Sequence, residues 1–261
     1  MFNPMVSVLR DKRILITGAS YGLGAVCARE FARMGAQLAL VARSAEKLEQ
    51  VRRSCCNRGR HLAVAADLAD SCQLQEAVKK AQGFLGRIDA ALHVAGGGLG
   101  LREPLIEAAD LLRLFELNVM AAVRINRIIA PQMLKRGRGS LVHVASIAAS
   151  EATASVGYNT VKSALAEYVR SLGNELAGSG VVVTGILPGG FLAPGNAWER
   201  LMARDPGAAR RFIKKQLPRR RLADARELIP LLAFLCSDDA SMMSGCLVPI
   251  DAGEGRAYQQ C

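Results

Sequence analysis

The sequence predicts an α/β fold: a doubly wound parallel sheet of about seven strands with helices on both faces, in three layers. Two features carry this expectation. Short apolar runs without polar alternation recur along the chain, as in strands covered on both faces. Each is followed by a segment with apolar residues at helical spacing, so successive strands need crossover connections. With 261 residues, 51% of them hydrophobic, the chain can bury one sizeable core. No internal repeat, low-complexity tract or linker divides it, so residues 1–261 are expected to form a single domain.

Arg13-Ile-Leu-Ile-Thr17 is the first apolar run, and it opens directly into the glycine-rich stretch Thr17-Gly-Ala-Ser-Tyr-Gly-Leu-Gly24. A helix over 23–34 follows, with Val26, Cys27 and Phe31 at helical spacing and Gly35 as its C-terminal cap. The remaining strands are expected at 37–41, 61–65, 88–94, 140–145, 181–186 and 246–250. They alternate with helices over 44–57, 71–85, 108–135, 156–177 and 226–235. Residues 189–220 break this rhythm, with Gly189, Gly190, Pro194, Gly195, Pro206, Gly207 and Pro218 separating short helical pieces. An insertion after a late strand lies at the carboxyl edge of the sheet, where ligands bind in open α/β folds, and it reads as a substrate lid.

The formal charge is +11, and part of it is concentrated in that insertion. Between Glu199 and Arg221 nine Lys or Arg residues face two acids, a local +7. Such a surface attracts anions over about a Debye length, ~8 Å at physiological salt. It points to an anionic substrate, free or carried on a larger partner. Nucleic acid is a weaker reading of the same charge, because no interleaved aromatics or recognised motif accompany it. No window approaches the ~20 apolar residues of a membrane helix. The N-terminus has no basic segment leading into an apolar core and cleavage site, so the expected location is cytoplasmic. The cysteines, Cys27, Cys55, Cys56, Cys72, Cys236, Cys246 and Cys261, form an odd set with no Cys-x-x-Cys pair, which argues against a disulfide framework and against a metal site.

Gly18, Gly22 and Gly24 are spaced so that a strand can turn sharply, the backbone can approach a pyrophosphate, and the helix can pack close to the sheet. Strand, glycine turn and helix in that order form the Rossmann-type arrangement for holding a dinucleotide, with the helix N-terminus turned to its phosphates. Tyr158 and Lys162 stand four apart, on one face if the segment is helical, so an ammonium can sit beside a phenol and favour its ionised form. Ser146 lies twelve residues before that tyrosine.

These motifs, together with Asp67 in Ala-Asp-Leu, His93-Val-Ala-Gly-Gly97, Asn118 and Pro188-Gly189, occur in the order found in the short-chain dehydrogenase/reductase family. The chain resembles that family over roughly residues 9–253, including its ketoacyl reductase-like members. The resemblance implies an enzyme that transfers a hydride between a nicotinamide cofactor and a carbonyl or secondary alcohol. Tyr158 would be the acid or base, with Lys162 lowering its pKa from ~10. Ser146 would hold the substrate oxygen, and Asn118 a water that relays protons from Lys162. The loop Gly18, Ser20, Tyr21, Gly22, Leu23 and Gly24 would hold the cofactor's phosphates, and Lys162 its nicotinamide ribose. Asp67 and Leu68 would flank its adenine, Ala95 and Gly96 would line it, and Pro188, Gly189 and Phe191 would lie near its nicotinamide. Members that use NAD carry an acid where Ala42 stands. Arg43, next in line, is suited to a 2′-phosphate, so NADP is expected rather than NAD.

Asp67 has a second reading, as the cap of the helix beginning near Ser71. The family's usual asparagine pair is replaced by His93 and Val94, and His93 reads as a satisfied core imidazole. Phe191, Leu192 and Trp198 are candidates for an apolar substrate wall. Relatives usually form tetramers through two long helices, with the C-terminal strand region as a second contact, so a homotetramer built on 108–135 and 156–177 is expected, with a dimer as the alternative. The alternative to an enzyme is a non-catalytic cofactor sensor on the same fold, disfavoured by the presence of Ser146, Tyr158 and Lys162 together.

Overall fold

A computed structural model describes residues 8–257; residues 1–7 and Cys261, read above, lie outside the described part. Seven strands form one sheet: β1 (Arg13–Thr17), β2 (Gln37–Ala42), β3 (His61–Ala65), β4 (Ala90–His93), β5 (Gly139–Val144), β6 (Val181–Pro188) and β9 (Leu247–Ile250). Their spatial order is β3-β2-β1-β4-β5-β6-β9, and every pairing is parallel. The expected doubly wound sheet is therefore present.

The layers follow from the two-residue period of a strand. Ile14, Ile16, Leu38, Leu40, Ala90 and Leu92 point to one face, where they pack with α1 (Gly22–Arg33) and α9 (Ile229–Leu235). Leu15, Ala39, Val41 and Ala91 point to the other, against α3 (Ser71–Leu85) and α5 (Ala121–Arg136). Both faces are covered, which is why the strand segments carry no polar alternation. α6 (Val156–Glu175) lies on the second face, with Val161 and Leu165 in a smaller core beside Ala145 and Leu187.

Local chemistry sets the helix ends. Ser44 caps α2 (Ala45–Ser54) through Lys47 N–H, and the helix stops three residues short of the expected end, before Asn57 with its φ of 52°. The Asp67 cap reading is corrected: Asp70 caps α3, accepting from Cys72 and Gln73 N–H. Asp67 instead closes a tight turn onto Ala69 N–H at 3.0 Å. The single long helix expected over 108–135 is α4 (Ala108–Phe115), a π-helical turn over Glu116–Met120, and α5. In the insertion a two-residue parallel pair, β7 (Phe191–Leu192) with β8 (Ala223–Asp224), closes the base of α7 (Ala197–Arg204) and α8 (Pro206–Gln216). A pair this short leaves no periodic signal in sequence.

Candidate functional site

Strand order reverses between β1 and β4, whose neighbours lead away on opposite sides. Ligands bind beyond the carboxyl ends of the strands at such a switch point. The sequence places its glycine loop there. Gly18 has a φ of +66°, and a Cβ on it would fall 2.8 Å from Ala95 N. Gly24 packs α1 onto the turn so closely that a Cβ would fall 2.3 Å from Gly18 O. Gly22, by contrast, has a φ of +60° with nothing within 4 Å of its Cβ position. Two glycines thus close the turn onto the protein, and the third leaves room on its outer side. Tyr21 precedes α1 without a side-chain cap, so the first-turn amides of the helix are not taken by it. Gly22 N–H, however, donates to Pro194 O at 2.8 Å, which brings the stem of the insertion over the loop. Thr17, which the sequence reading passed over, accepts from Val94 and Ala95 N–H through Oγ1, both at 3.2 Å, and ties the loops after β1 and β4 together.

The second group lies beyond β4 and β5. Asn118, buried in the π-helical turn, accepts from Gly97 N–H at 2.9 Å and donates to Gly97 O and Leu114 O. A Cβ on Gly96 would meet Asn118 Oδ1 at 2.7 Å and Lys162 Nζ at 3.3 Å, so only glycine fits between them. Tyr158 and Lys162 stand one turn apart on α6. Lys162 is buried, donates to Val144 O at 2.9 Å, and places its ammonium 5.6 Å from the centre of the Tyr158 ring. The Ser146 side chain lies close enough to the Tyr158 phenol to act on it, and Ser146 Oγ accepts from Ala148 N–H at 3.2 Å. Ser146, Tyr158, Lys162, Asn118 and Gly96 therefore form one constellation.

Its electrostatics differ from the expectation in one respect. Burial lowers the Lys162 ammonium to about 8, because the charged form loses hydration. The same cause raises the Tyr158 phenol above its ordinary range, and the nearby Ser146 side chain offsets this only in part. The protein's own groups thus hold the phenol protonated. The ammonium stands 5.6 Å from the centre of the tyrosine ring, and the expected lowering of the phenol by it does not outweigh burial.

Arg43 follows β2, exposed and without an ion pair among the described residues. Asp67 is half-buried on the same edge, whereas the Leu68 side chain belongs to the core under α3. Ser20 is buried beneath the glycine loop, and Tyr21 is exposed beside Gly195. Pro188 ends β6, followed by Gly189, Gly190 and Phe191. Trp198 stacks on Phe212 with ring centres 4.5 Å apart, joining α7 to α8. The indole is thus committed to the interior of the insertion. A cavity of about 380 Å³ lies behind Gly189, Gly190 and Phe191, against Pro218 and the end of β9, and Tyr158 does not line it.

His93 is the satisfied core imidazole that the sequence suggested. Its Nε2 meets Asn126 Oδ1 at 2.8 Å, and its ring stacks on His143 at 4.7 Å. Asn126 also reaches His143 Nε2 and the Tyr168 hydroxyl, both at 3.1 Å, so this group knits β4, β5, α5 and α6 together.

The family model for short chain dehydrogenases matches residues 12–202. The chain belongs to this family of oxidoreductases. It is 34% identical over 253 residues to oxidoreductase UcpA of Escherichia coli K12, covering 94% of this chain and 95% of the relative. Among solved structures it is similar to L-sorbose reductase from Gluconobacter frateurii, crystallised with NADPH and L-sorbose, at a TM-score of 0.86 and 30% identity over 95% of this chain and 98% of that one. A 7α-hydroxysteroid dehydrogenase crystallised with NADH and 7-oxo glycochenodeoxycholic acid gives a TM-score of 0.86 and 28% identity, over 97% and 98% of the two chains. Seven parallel strands with flanking helices and a nicotinamide-binding family make the chain an oxidoreductase of Rossmann-type fold. Among the described residues no helix is long and apolar enough to cross a membrane.

Proposed function

We propose that the chain is an NADP(H)-dependent carbonyl reductase or secondary alcohol dehydrogenase, working as a single catalytic domain in the cytoplasm on an anionic substrate, free or carrier-bound. The observation that carries this reading is the gathering of Tyr158, Lys162 and Ser146 at one place, with the Lys162 ammonium 5.6 Å from the Tyr158 ring centre and the Ser146 side chain acting on the phenol. A protonated phenol held beside a serine hydroxyl can give a proton to a ketone oxygen and take one back from an alcohol. Ser146 would hold that oxygen and stabilise the charge developing on it.

The residues fit a dinucleotide: Gly22 leaves open space at its Cβ position on the outer side of the turn, beside the first turn of α1. When bound, the nicotinamide supplies or accepts the hydride. The segment from Gly18 to Gly24 would hold its phosphates. Asp67, Leu68, Ala95 and Gly96 would line it, and Pro188, Gly189 and Phe191 would face the nicotinamide end. Lys162, already about 8, sits close enough to physiological pH to pass a proton. Both side-chain N–H groups of Asn118 are spent on Gly97 and Leu114, so it would hold a water through an oxygen lone pair. Arg43, exposed at the end of β2, supports NADP through a charge-assisted contact to the 2′-phosphate.

The basic side chains of α8, Arg210, Arg211, Lys214 and Lys215, which form no ion pair among the described residues, support an anionic substrate, with α7 and α8 as its lid. Assembly as a homotetramer through α4, α5 and α6 is supported by Leu112 and Val156, which leave large apolar side chains in solvent on α4 and α6. Sedimentation of only monomer at micromolar concentration would exclude that assembly.

The test is NADPH oxidation with a panel of neutral and acidic ketones. Tyr158→Phe is expected to lower kcat by about 100-fold or more, the usual worth of a positioned acid, while NADPH binding persists. Turnover that survives Tyr158→Phe would refute the assignment.

A further inference from the structure

Beyond β9 the chain makes a turn that touches both loops of the proposed site. Glu254 Oε2 accepts from Gly190 N–H at 2.5 Å, and Gly189 N–H donates to Ile250 O at 3.3 Å. These contacts fix the loop after β6. On the other side Glu151, five residues after Ser146, accepts through Oε1 from Arg256 N–H at 2.5 Å and from Ala257 N–H at 2.9 Å. Asp251 shapes the turn between them, accepting from Gly253 N–H at 3.0 Å and from Gly255 N–H at 2.9 Å.

Both ends are tightly seated. A Cβ on Gly189 would fall 2.5 Å from Glu254 Oε2, and one on Gly255 would fall 2.8 Å from Glu151 Oε1. Two carboxylates 103 residues apart in sequence, Glu151 and Glu254, are thus drawn to one turn, each spent on backbone amides rather than on a basic side chain. Carboxylate-to-amide hydrogen bonds are among the stronger ones a protein makes. Glu254 is half-buried, and burial together with Asp251 and Glu151 raises its pKa. The arrangement is thus maintained against a desolvation cost and against like charge.

We propose that Glu254 and Glu151 are positioning residues for hydride transfer: the turn from Asp251 to Ala257 clasps the loop carrying Gly189 and Gly190 to the loop that follows Ser146. This rests on the site proposed above. The clasp sets the nicotinamide-facing loop against the oxygen-holding serine. The phosphates and adenosine would be held elsewhere, by the glycine loop and Arg43, which none of these contacts involves. Its loss therefore changes how the reacting groups meet more than how tightly the cofactor binds.

The test compares Glu254→Ala, Glu254→Gln, Glu151→Ala and Glu151→Gln in the full-length enzyme, with Tyr158→Phe alongside. Steady-state kinetics, NADPH binding by fluorescence and melting temperature are read for each. The alanine variants are expected to lower kcat about tenfold, the worth of one charged hydrogen bond, with NADPH affinity changed less than about twofold. The glutamine variants keep an acceptor oxygen and are expected to recover most of that loss. Unchanged kcat in both alanine variants overturns the proposal while leaving the Tyr158 site intact. A joint fall of kcat, NADPH affinity and melting temperature that glutamine does not rescue makes the clasp merely structural and overturns it too. Failure of the unaltered protein to bind or oxidise NADPH refutes the underlying site and the clasp with it.

Discussion

Acidification should weaken this fold above the range in which carboxylates titrate, because of the imidazole pair inside it. His143 is fully buried, and burial lowers its pKa to about 4 from an ordinary 6.5. The hydrogen bonds require the neutral form. Nδ1–H donates to Thr184 O, so Nε2 must accept from the Asn126 amide, and a proton on Nε2 would oppose donor to donor. His93, stacked on it, is shifted in the same direction by burial and by His143. A histidine whose folded pKa is depressed binds its proton in the unfolded state first. Stability is therefore full above pH ~6.5 and is lost as pH falls toward 4. For His143 alone the loss between pH 7 and pH 5 is about 2 kcal/mol, out of a typical total of 5–15. Glu49 and Asp238, both held near 2, lose their contribution at lower pH, and Lys162 changes only above about 8. Glu254 acts with the opposite sign, since a raised carboxyl pKa favours the folded state on acidification. It acts equally in the unaltered protein and in the variant. Urea unfolding of the unaltered protein and of His143→Asn at pH 7 and pH 5 isolates the effect. The asparagine variant should be less stable at pH 7 yet lose about 2 kcal/mol less on acidification. Equal pH dependence in the two proteins would refute the argument.

Three further outcomes follow from particular contacts. Arg43→Ala should weaken NADPH binding about tenfold or more and leave NADH binding nearly unchanged, as measured by fluorescence titration of each cofactor. Thr184 carries a buried hydroxyl with no partner among the described residues, so Thr184→Val should hold or raise the denaturation midpoint, by up to about 1 kcal/mol. Gly24→Ala drives a Cβ to 2.3 Å from Gly18 O, whereas at Gly22 the Cβ position is open and only the positive φ resists. The first should cost clearly more stability than the second, whose cost is about 1 kcal/mol, and chemical denaturation of both variants orders them.

The strands were legible in sequence because both faces of this sheet are covered. Burial on two sides removes the polar alternation from a strand, so the cores of Arg13–Thr17 and Gln37–Ala42 stand out as continuous apolar stretches. Helix ends were readable where a side chain closes them. Asp70 was missed in favour of Asp67 because two aspartates three apart both precede the helix, and only geometry shows which one reaches the first-turn amides. The division of the 108–135 helix at Glu116–Met120 gave no signal, since a π-helical turn keeps helical residues and inserts nothing that breaks them.

At the site the same physics separates what could be read from what could not. Gly18, Gly24, Tyr158 and Lys162 are local: a turn with positive φ, a close approach and a one-turn spacing leave their mark within a few residues. The contacts that unite the site are not local. Thr17 holds Ala95 from 78 residues away, Asn118 holds Gly97 from 21, and Glu254 holds Gly190 from 64. Each such partner is an ordinary threonine, asparagine or glutamate in its own segment and acquires a role only when the sheet order brings two loops together. The direction of the Tyr158 shift belongs to this second kind. Spacing fixes that Lys162 shares its face. Depth below the surface decides that burial outweighs the ammonium and leaves the phenol protonated, the form that donates to a carbonyl oxygen.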